Sequence, residues 1–196
     1  KIIPSQNEQG ASLAADAYSR TSGKLGIVVT TCGPGIINAL QGLACSYYDS
    51  IPALYISGAP VTGLLKKNKK LRQLGFQEME IQEIVSSFTK YSTRITDVKK
   101  IFYEIEKCIF LAKEGRPGPC IIDLPDDIQR METSADEQEI FKPEVKKLTI
   151  DSTKVEKVIK MVKESKRPIF IIGNGIKISE SEKNVKELLR TTKVPY

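Results

Sequence analysis

Short apolar segments alternate with longer amphipathic segments along the first 125 residues of the chain. Four apolar segments have the length and composition of strands, at residues 25–31, 53–57, 91–95 and 120–124. The pattern between them predicts helices at residues 7–20, 33–48 and 98–113. This alternation is typical of a mainly parallel sheet flanked by helices, so we predict an α/β fold.

The first predicted helix has a candidate cap at each end. Asn7 can accept a backbone hydrogen bond at the start, and Gly23 can end the helix in a left-handed conformation. Ile2 and Ile3 precede it with the pattern of a strand interior, and the chain begins with Lys1 rather than methionine. We therefore expect a fragment whose first domain, residues 1–125, is incomplete at its amino end.

The pattern changes after Pro125. Residues 126–151 are polar and charged without a sustained period, which is typical of a linker between domains. The residues that follow predict a helix, a strand, a turn and a helix, at 154–165, 168–172, 173–175 and 179–191. We therefore predict that residues 152–196 begin a second, truncated α/β domain.

The inventory of reactive side chains excludes several kinds of chemistry. Histidine is absent, which excludes Ser-His-Asp and Cys-His catalysis and His-ligated zinc. The cysteines lie far apart, with no metal-ligand spacing, at Cys32, Cys45, Cys108 and Cys120. This use of cysteine favours a reduced, cytoplasmic setting, and we predict no metal site within the chain.

The net charge of +6 does not indicate a nucleic-acid partner. Most of the excess lies at residues 66–72 and 146–167, and in the second stretch the lysines recur opposite apolar residues, as on the wet face of an amphipathic helix. No basic and aromatic residues interleave, and no apolar run approaches the length of a membrane span. We therefore expect neither a nucleic-acid partner nor a membrane.

Two glycine-rich turns raise the question of nucleotide binding. The first, residues 33–35, lacks the third glycine of a dinucleotide-binding loop, and Pro34 removes one N–H donor. The second, residues 173–175, is equally incomplete. Each turn is consistent with phosphate contact or with a plain connection between strand and helix.

Glu8 lies in the first turn of the first predicted helix. A carboxylate there interacts favourably with the helix dipole, so a helix-start acid is one interpretation. A catalytic carboxyl group is the other. It would need an apolar pocket that raises its pKa against the effect of the helix terminus.

Five segments, met in this order, together resemble one enzyme family. They are residues 7–11 (NEQGA), 30–35 (TTCGPG) with Asn38, 49–52 (DSIP), 76–78 (FQE), and 115–119 (GRPGP) with Asp123 and Pro125. The set resembles the thiamine-diphosphate enzymes of the acetolactate synthase group, in their N-terminal pyrimidine-binding domain and the start of their central domain. The resemblance covers nearly the whole chain.

The resemblance implies a role for particular residues. In that family a glutamate at the position of Glu8 bonds to N1′ of the cofactor pyrimidine and favours the tautomer that deprotonates the thiazolium. Pro34 and Asn38 match positions that line the pyrimidine pocket, while Phe76 and Gln77 match positions on a mobile segment near cofactor or substrate. Arg116 resembles an arginine that touches FAD in the flavin-containing members. The structural alternatives are a rigid turn at Pro34, a helix-start amide at Asn38, an ordinary amphipathic helix at Phe76 and Gln77, and a solvated side chain at Arg116.

The resemblance also implies an activity. We expect part of an enzyme of branched-chain amino acid biosynthesis that decarboxylates a 2-oxo acid such as pyruvate and transfers the acyl carbanion equivalent to an acceptor. The family works as a homodimer or tetramer with thiamine diphosphate and magnesium, and the magnesium ligands lie in a domain outside this sequence. We therefore expect the fragment alone to be inactive. The alternatives are a simple 2-oxo acid decarboxylase and a non-catalytic regulatory or assembly module.

Two positions depart from the family pattern. Asn7 stands where the family usually has histidine, so the proton transfer or substrate contact given to that histidine is not carried over to this sequence. Cys32 replaces a usual serine, and the basic stretch at 66–72 is longer than the corresponding loop.

Overall fold

The computed structural model describes residues 1–68, 70–144 and 149–196. The chain forms two compact units, Lys1–Glu144 and Val145–Tyr196. Parts of three predicted features lie outside the described residues: position 69 of the basic stretch 66–72, positions 145–148 of the linker 126–151, and positions 146–148 of the basic stretch 146–167.

The first unit is a parallel sheet flanked by helices, which confirms the predicted α/β fold. Its strands are β1 (Gly26–Thr30), β2 (Ala53–Ala59), β3 (Tyr91–Arg94) and β4 (Pro119–Pro125). Its α-helices are α1 (Glu8–Ser22), α2 (Pro34–Asn38), α3 (Leu40–Tyr48), α4 (Ile81–Val85), α5 (Ile101–Lys113) and α6 (Asp126–Arg130). Short 3₁₀ turns occupy Thr62–Leu64, Val98–Lys100 and Ala135–Glu137.

The four strands pair in the order β1-β2-β4-β3, all parallel. One row of the sheet, near the carboxyl ends, carries a polar side chain on every strand. In register these residues are Thr30, Ser57, Asp123 and Arg94. The first three of them are buried. Polar groups are thus concentrated at the edge where parallel α/β sheets bind their ligands.

Both predicted caps of α1 are confirmed. The Asn7 side-chain oxygen accepts a hydrogen bond from Gly10 N at 2.7 Å. At the other end Gly23 has a φ of 71°, and its N–H bonds to Ser19 O. The strand expected at Ile2 and Ile3 does not form, and both side chains are exposed.

Two hydrophobic clusters cover the two faces of the sheet. On one face Val28, Tyr55 and Ile121 pack with residues from α1, α3 and α4. On the other face Leu54, Cys120 and Ile122 pack with α5, through Cys108 and Ala112. A strand covered on both faces has no polar side, which explains the nearly continuous apolar sequences of β2 and β4.

Strand β1 is less buried than its sequence predicted. It lies at the edge of the sheet, and its side chains alternate between buried and exposed, with Ile27 56% and Val29 72% exposed. The predicted helix at 33–48 is divided into α2 and α3 at Ala39. There the N–H bonds at 3.0 Å to the carbonyl of Ile36, three residues earlier rather than the four of an α-helix.

The helices α1 and α3 approach so closely that only glycine fits at the contact. A Cβ on Gly42 would lie 2.5 Å from the Ser12 carbonyl carbon and 2.6 Å from Ser12 Cβ. We expect Gly42→Ala to lower the free energy of unfolding by about 1–3 kcal/mol, the usual effect of overpacking. Urea denaturation would measure it. Gly63→Ala is the matched control, since Gly63 faces open space, and a loss as large there would contradict the packing argument.

Residues 126–144 are part of the first unit, whereas composition placed a linker at 126–151. Ile128 is buried, and the buried Gln138 side chain bonds to Phe102 N and Val98 O. The Phe141 ring contacts those of Tyr103 and Phe110. Polar composition hid these contacts, because a few apolar anchors hold a mostly charged segment. The division of the chain into functional domains stays a prediction.

The second unit contains α7 (Ser152–Glu164), α8 (Gly175–Ile178) and α9 (Glu182–Thr192). The predicted lysine face of α7 is exposed. The strand predicted at 168–172 does not form a ladder with any described residue: Phe170 N bonds to Pro195 O, and Ile171 is 94% exposed. A strand needs a paired neighbour, which pattern alone does not supply. In the described parts of the chain no helix is both long and apolar enough to cross a bilayer.

Candidate functional site

The connection between α1 and β1 brings Glu8 and Asn38 together at the carboxyl ends of the strands. The chain reverses at Gly23, so that α1 runs opposite to β1 and its first turn lies near the end of β1. The turn after β1, residues 33–35, then enters α2 at the same edge. Glu8 and Asn38 are therefore neighbours although they are far apart in sequence.

Glu8 and Asn38 form the polar centre of this edge. Asn38 Nδ2 donates a hydrogen bond to Glu8 Oε2 at 2.8 Å, across a separation of 30 residues. The other carboxylate oxygen, Oε1, lies 3.4 Å from the point where a Cβ on Gly35 would stand. The Glu8 side chain is half-buried and Asn38 is exposed. One carboxylate oxygen is thus fixed by an amide, and the other lies over a glycine.

The environment of Glu8 lowers its pKa. The hydrogen bond from Asn38 is the largest cause, followed by a bond from the Glu8 backbone N–H, and burial opposes both only weakly. The described residues do not by themselves supply the apolar surroundings that a catalytic role would need to raise this pKa. At neutral pH the group is a carboxylate oriented by an amide.

The turn after β1 requires glycine at its first position. Gly33 has a φ of 58° and a ψ of −116°, and a Cβ there would overlap the Gln77 carbonyl oxygen and lie 2.8 Å from Gln77 Cβ. Pro34 follows as the first residue of α2 and is exposed. The turn consequently brings the segment of Gln77 into direct contact with the segment of Pro34.

Gln77 lies against the Gly33 turn, and Phe76 beside it is open to solvent. The Gln77 backbone has a φ of 56°, and its Oε1 lies 3.9 Å from Cys32 Sγ. Phe76 is 78% exposed. A small crevice at the carboxyl ends of the strands is lined by Cys32, Gly33, Gln77 and Asp123, among others.

Arg116 lies at the amino ends of the strands, whereas Glu8, Asn38 and Gln77 lie at their carboxyl ends. It precedes β4, and its Nε donates to Ser50 Oγ at 2.7 Å, close to the start of β2. In a parallel sheet the amino ends of the strands share one edge, which is not the edge of Glu8. The structure therefore does not bring Arg116 together with Glu8, Asn38 and Gln77.

The sequence analysis missed a charged pair beside the crevice. Arg94 ends β3 and its Nε donates to Asp123 Oδ2 at 2.6 Å, with Glu80 3.6 Å from the same guanidinium. Burial raises the pKa of Asp123, despite the opposing effect of Arg94. The sequence shows a charged residue near the end of each of these strands, Arg94 in β3 and Asp123 in β4. Their contact can be inferred only once β3 is known to pair with β4.

The other candidate sites do not gain support. The turn at 173–175 leads into α8, which has only four residues. Within residues 1–68, 70–144 and 149–196, no group of three or more His, Cys, Asp and Glu side chains could hold a metal ion. All four cysteines are free thiols.

Comparison with known proteins identifies relatives along the whole chain. Residues 1–84 match the family model described as thiamine pyrophosphate enzyme, N-terminal TPP binding domain. The chain is 33% identical over 199 residues to the acetolactate synthase large subunit of Porphyra purpurea, an alignment that covers 100% of this chain and 33% of that protein. It is 36% identical over 186 residues to the chloroplastic acetolactate synthase of Arabidopsis thaliana, covering 92% of this chain and 27% of that protein.

A relative with a different activity aligns over the same length. The chain is 30% identical over 203 residues to the 2-hydroxyacyl-CoA lyase of Arabidopsis thaliana, covering 100% of this chain and 34% of that protein. The chain thus spans about a third of the length of the curated relatives it matches.

Proposed function

Because this chain belongs to the thiamine-pyrophosphate-dependent enzymes of the acetolactate synthase group, we propose that it provides the pyrimidine-binding half of an active site. The whole enzyme decarboxylates a 2-oxo acid such as pyruvate and transfers the acyl group to an acceptor. The observation that supports this most directly is the Glu8 carboxylate held by Asn38 above Gly35.

The residues at this edge fit a flat heterocycle with nitrogen donors and acceptors. Asn38 fixes Glu8 Oε2 from one side, and the half-buried carboxylate keeps an open side on which a ring nitrogen would bind. Thiamine diphosphate, when bound, supplies a thiazolium carbon that acts as nucleophile and electron sink. Glu8, Asn38, Pro34 and Gln77 are the residues of this chain that would hold its pyrimidine.

Each of these side chains has a distinct task. Glu8 would share a proton between Oε1 and a ring nitrogen. Its pKa is lowered in this structure, and a ring that displaces water from the carboxylate would raise that pKa, as the catalytic role requires. Asn38 orients the carboxylate, since one amide N–H fixes Oε2. Pro34 gives an apolar wall, and Gln77 supplies an amide beside the crevice.

Asn7 has a structural task where the family usually has histidine. Its side-chain oxygen caps α1 by bonding to Gly10 N. An amide does not titrate near neutral pH, so we assign no proton transfer to this position. In this proposal Glu8 exchanges its proton with the pyrimidine, and Asn7 takes no part in that exchange.

Other parts of the proposal concern the whole enzyme. We assign the magnesium ligands to another domain and expect a homodimer or tetramer. FAD is not required by the residues at the carboxyl edge, and Arg116 already bonds to Ser50 Oγ and to the carbonyl of Tyr48. We derive no step through a flavin. A reduced, cytoplasmic setting agrees with the free cysteines, although some relatives are chloroplastic.

The same carboxylate serves several reactions of this cofactor. A simple 2-oxo acid decarboxylase would use Glu8 in the same way, and so would a 2-hydroxyacyl-CoA lyase, the activity named for one full-length match of this chain. In a non-catalytic module Glu8 would serve only as a helix-start acid of α1. Products therefore distinguish the candidates.

We expect the holoenzyme, supplied with thiamine diphosphate, magnesium and pyruvate, to form acetolactate. Mass spectrometry of the products measures this. Acetaldehyde as the main product would support the simple decarboxylase, and cleavage of a 2-hydroxyacyl-CoA with no reaction of pyruvate would support the lyase. Failure to bind thiamine diphosphate in calorimetry would contradict the proposed function as a whole.

A further inference from the structure

The segment between β2 and α4 is folded around one buried carboxylate. Glu78 is 4% exposed, and its two oxygens accept hydrogen bonds from the backbone N–H groups of Lys66 at 2.7 Å, Leu74 at 2.7 Å and Gly75 at 3.4 Å. Burial acts to raise the pKa of Glu78, but these donors outweigh it and the pKa is lowered. A single side chain thus closes a loop of basic residues onto itself.

A second anchor lies one residue further along. The Arg94 guanidinium donates from Nη2 to Met79 O at 2.8 Å, and from Nε to Asp123 at 2.6 Å. Glu80 contacts both Arg94 and Lys66, at 3.6 Å and 3.7 Å. The segment is therefore tied to the carboxyl ends of β3 and β4 as well as to itself.

The residue just before these anchors has a strained backbone. Gln77 has a φ of 56°, a region that non-glycine residues occupy only when their surroundings enforce it. Its carbonyl fills the space beside Gly33 that a Cβ would need, and its amide oxygen approaches Cys32. The Glu78 N–H bonds to Gly75 O at 3.2 Å, which closes a turn with Gln77 at its third position, and the two anchors hold the residues on either side of that turn.

The geometry points to Glu78 and Arg94 as positioning residues that clamp Gln77 against the Gly33 turn. The inference rests on the proposed function, in which Gln77 faces the cofactor or substrate. Neither residue lines the crevice itself: Arg94 acts through Asp123 and the Met79 carbonyl, and Glu78 holds the backbone at Leu74 and Gly75, just before Gln77. The long basic loop is thereby coupled to the site.

The first test measures the clamp without any activity. Gln77 Oε1 lies 3.9 Å from Sγ of the half-buried Cys32, while Cys45 is exposed in this chain and serves as an internal reference for alkylation of the holoenzyme. We expect Glu78→Gln to raise the alkylation rate of Cys32 relative to Cys45 by about 10-fold, the factor for one lost hydrogen bond to a charged group. Peptide mass spectrometry with iodoacetamide reads both thiols.

The controls separate the clamp from general loosening. Glu132→Gln removes an exposed carboxylate and is expected to leave the Cys32 to Cys45 ratio unchanged. Arg94→Lys keeps the charge but cannot reach Met79 O and Asp123 with the same planar fork, so it should raise the ratio too. If Glu78→Gln does not fold, Arg94→Lys decides. An unchanged ratio in the folded variant overturns the clamp.

A second measurement needs no variant. In the unmodified holoenzyme, hydrogen exchange of the Lys66 and Leu74 amides should be slowed at least about 10-fold relative to an open loop, because Glu78 accepts both. Exchange as fast as in an unstructured peptide would overturn the clamp. Neither this result nor the thiol ratio depends on the reaction, so either can fail while the proposed function holds.

The positioning role is tested by a double-mutant cycle on kcat/KM. If Glu78 acts through Gln77, Glu78→Gln should lower kcat/KM in the wild-type enzyme and have little further effect in a Gln77→Ala background. Additive losses would show that Glu78 serves the fold alone and would contradict the positioning role. If the unmodified holoenzyme shows no turnover while its thiol ratio and hydrogen exchange indicate an intact clamp, the proposed function is contradicted and the clamp is not.

Discussion

Replacing Glu8 by glutamine in the holoenzyme is expected to lower kcat by about 10²–10⁴-fold, the usual contribution of a positioned acid or base. The amide is nearly the same size as the carboxylate, and its oxygen can still accept the hydrogen bond that Asn38 donates. Geometry is therefore retained, while the group that exchanges a proton with the pyrimidine is lost. Steady-state rates with pyruvate at saturating thiamine diphosphate measure the effect.

Two comparisons make the Glu8→Gln result specific. Glu132→Gln changes the same chemical group at an exposed position outside the site and should keep wild-type turnover. Thermal unfolding should be nearly unchanged in both variants, since Glu8 is only half-buried. Turnover of Glu8→Gln equal to that of the wild type at saturating cofactor would contradict the catalytic assignment.

Local chemistry made the first helix predictable. Its N-cap and C-cap depend on residues within a few positions of each other, Asn7 with Gly10 and Gly23 with Ser19. A pattern of neighbouring residues contains that information completely. The same holds for the parallel sheet, because alternating strands and helices leave few other arrangements.

Features that depend on distant partners were not predictable from pattern. Ile27 and Val29 read as core residues, yet β1 is an edge strand and both are exposed. The apolar run at 168–172 has no ladder partner among the described residues, and so it is not a strand. The polar residues after β4 conceal the few anchors that hold them, such as Gln138.

Some residues of the candidate site could be named from the sequence, but the contacts between them could not. Glu8 and Asn38 were singled out by a resemblance, and nothing in their spacing of 30 residues indicates contact. Arg94 and Asp123 required the register of β3 against β4. Glu78 was visible beside Gln77 in the sequence, but its three backbone donors come from a loop whose path only the fold reveals.

The substitution Gly33→Ala should affect both stability and the site. A φ of 58° with a ψ of −116° is open to glycine but unfavourable for alanine, and the added Cβ would overlap the Gln77 carbonyl oxygen. Backbone strain and overpacking together are expected to lower the free energy of unfolding by roughly 2–4 kcal/mol. Urea denaturation followed by circular dichroism measures this loss.

Gly115→Ala separates the two contributions at Gly33. Gly115 also has a positive φ, 61°, but open space surrounds the point where its Cβ would lie. It should therefore show only the cost of strain, about 1 kcal/mol. The difference between the variants reports the collision with Gln77. If Gly33→Ala is no more destabilising than Gly115→Ala, then the 77–79 segment moves away from the methyl group at little cost in free energy. That result would contradict the claim that close packing against Gly33 holds Gln77 in place.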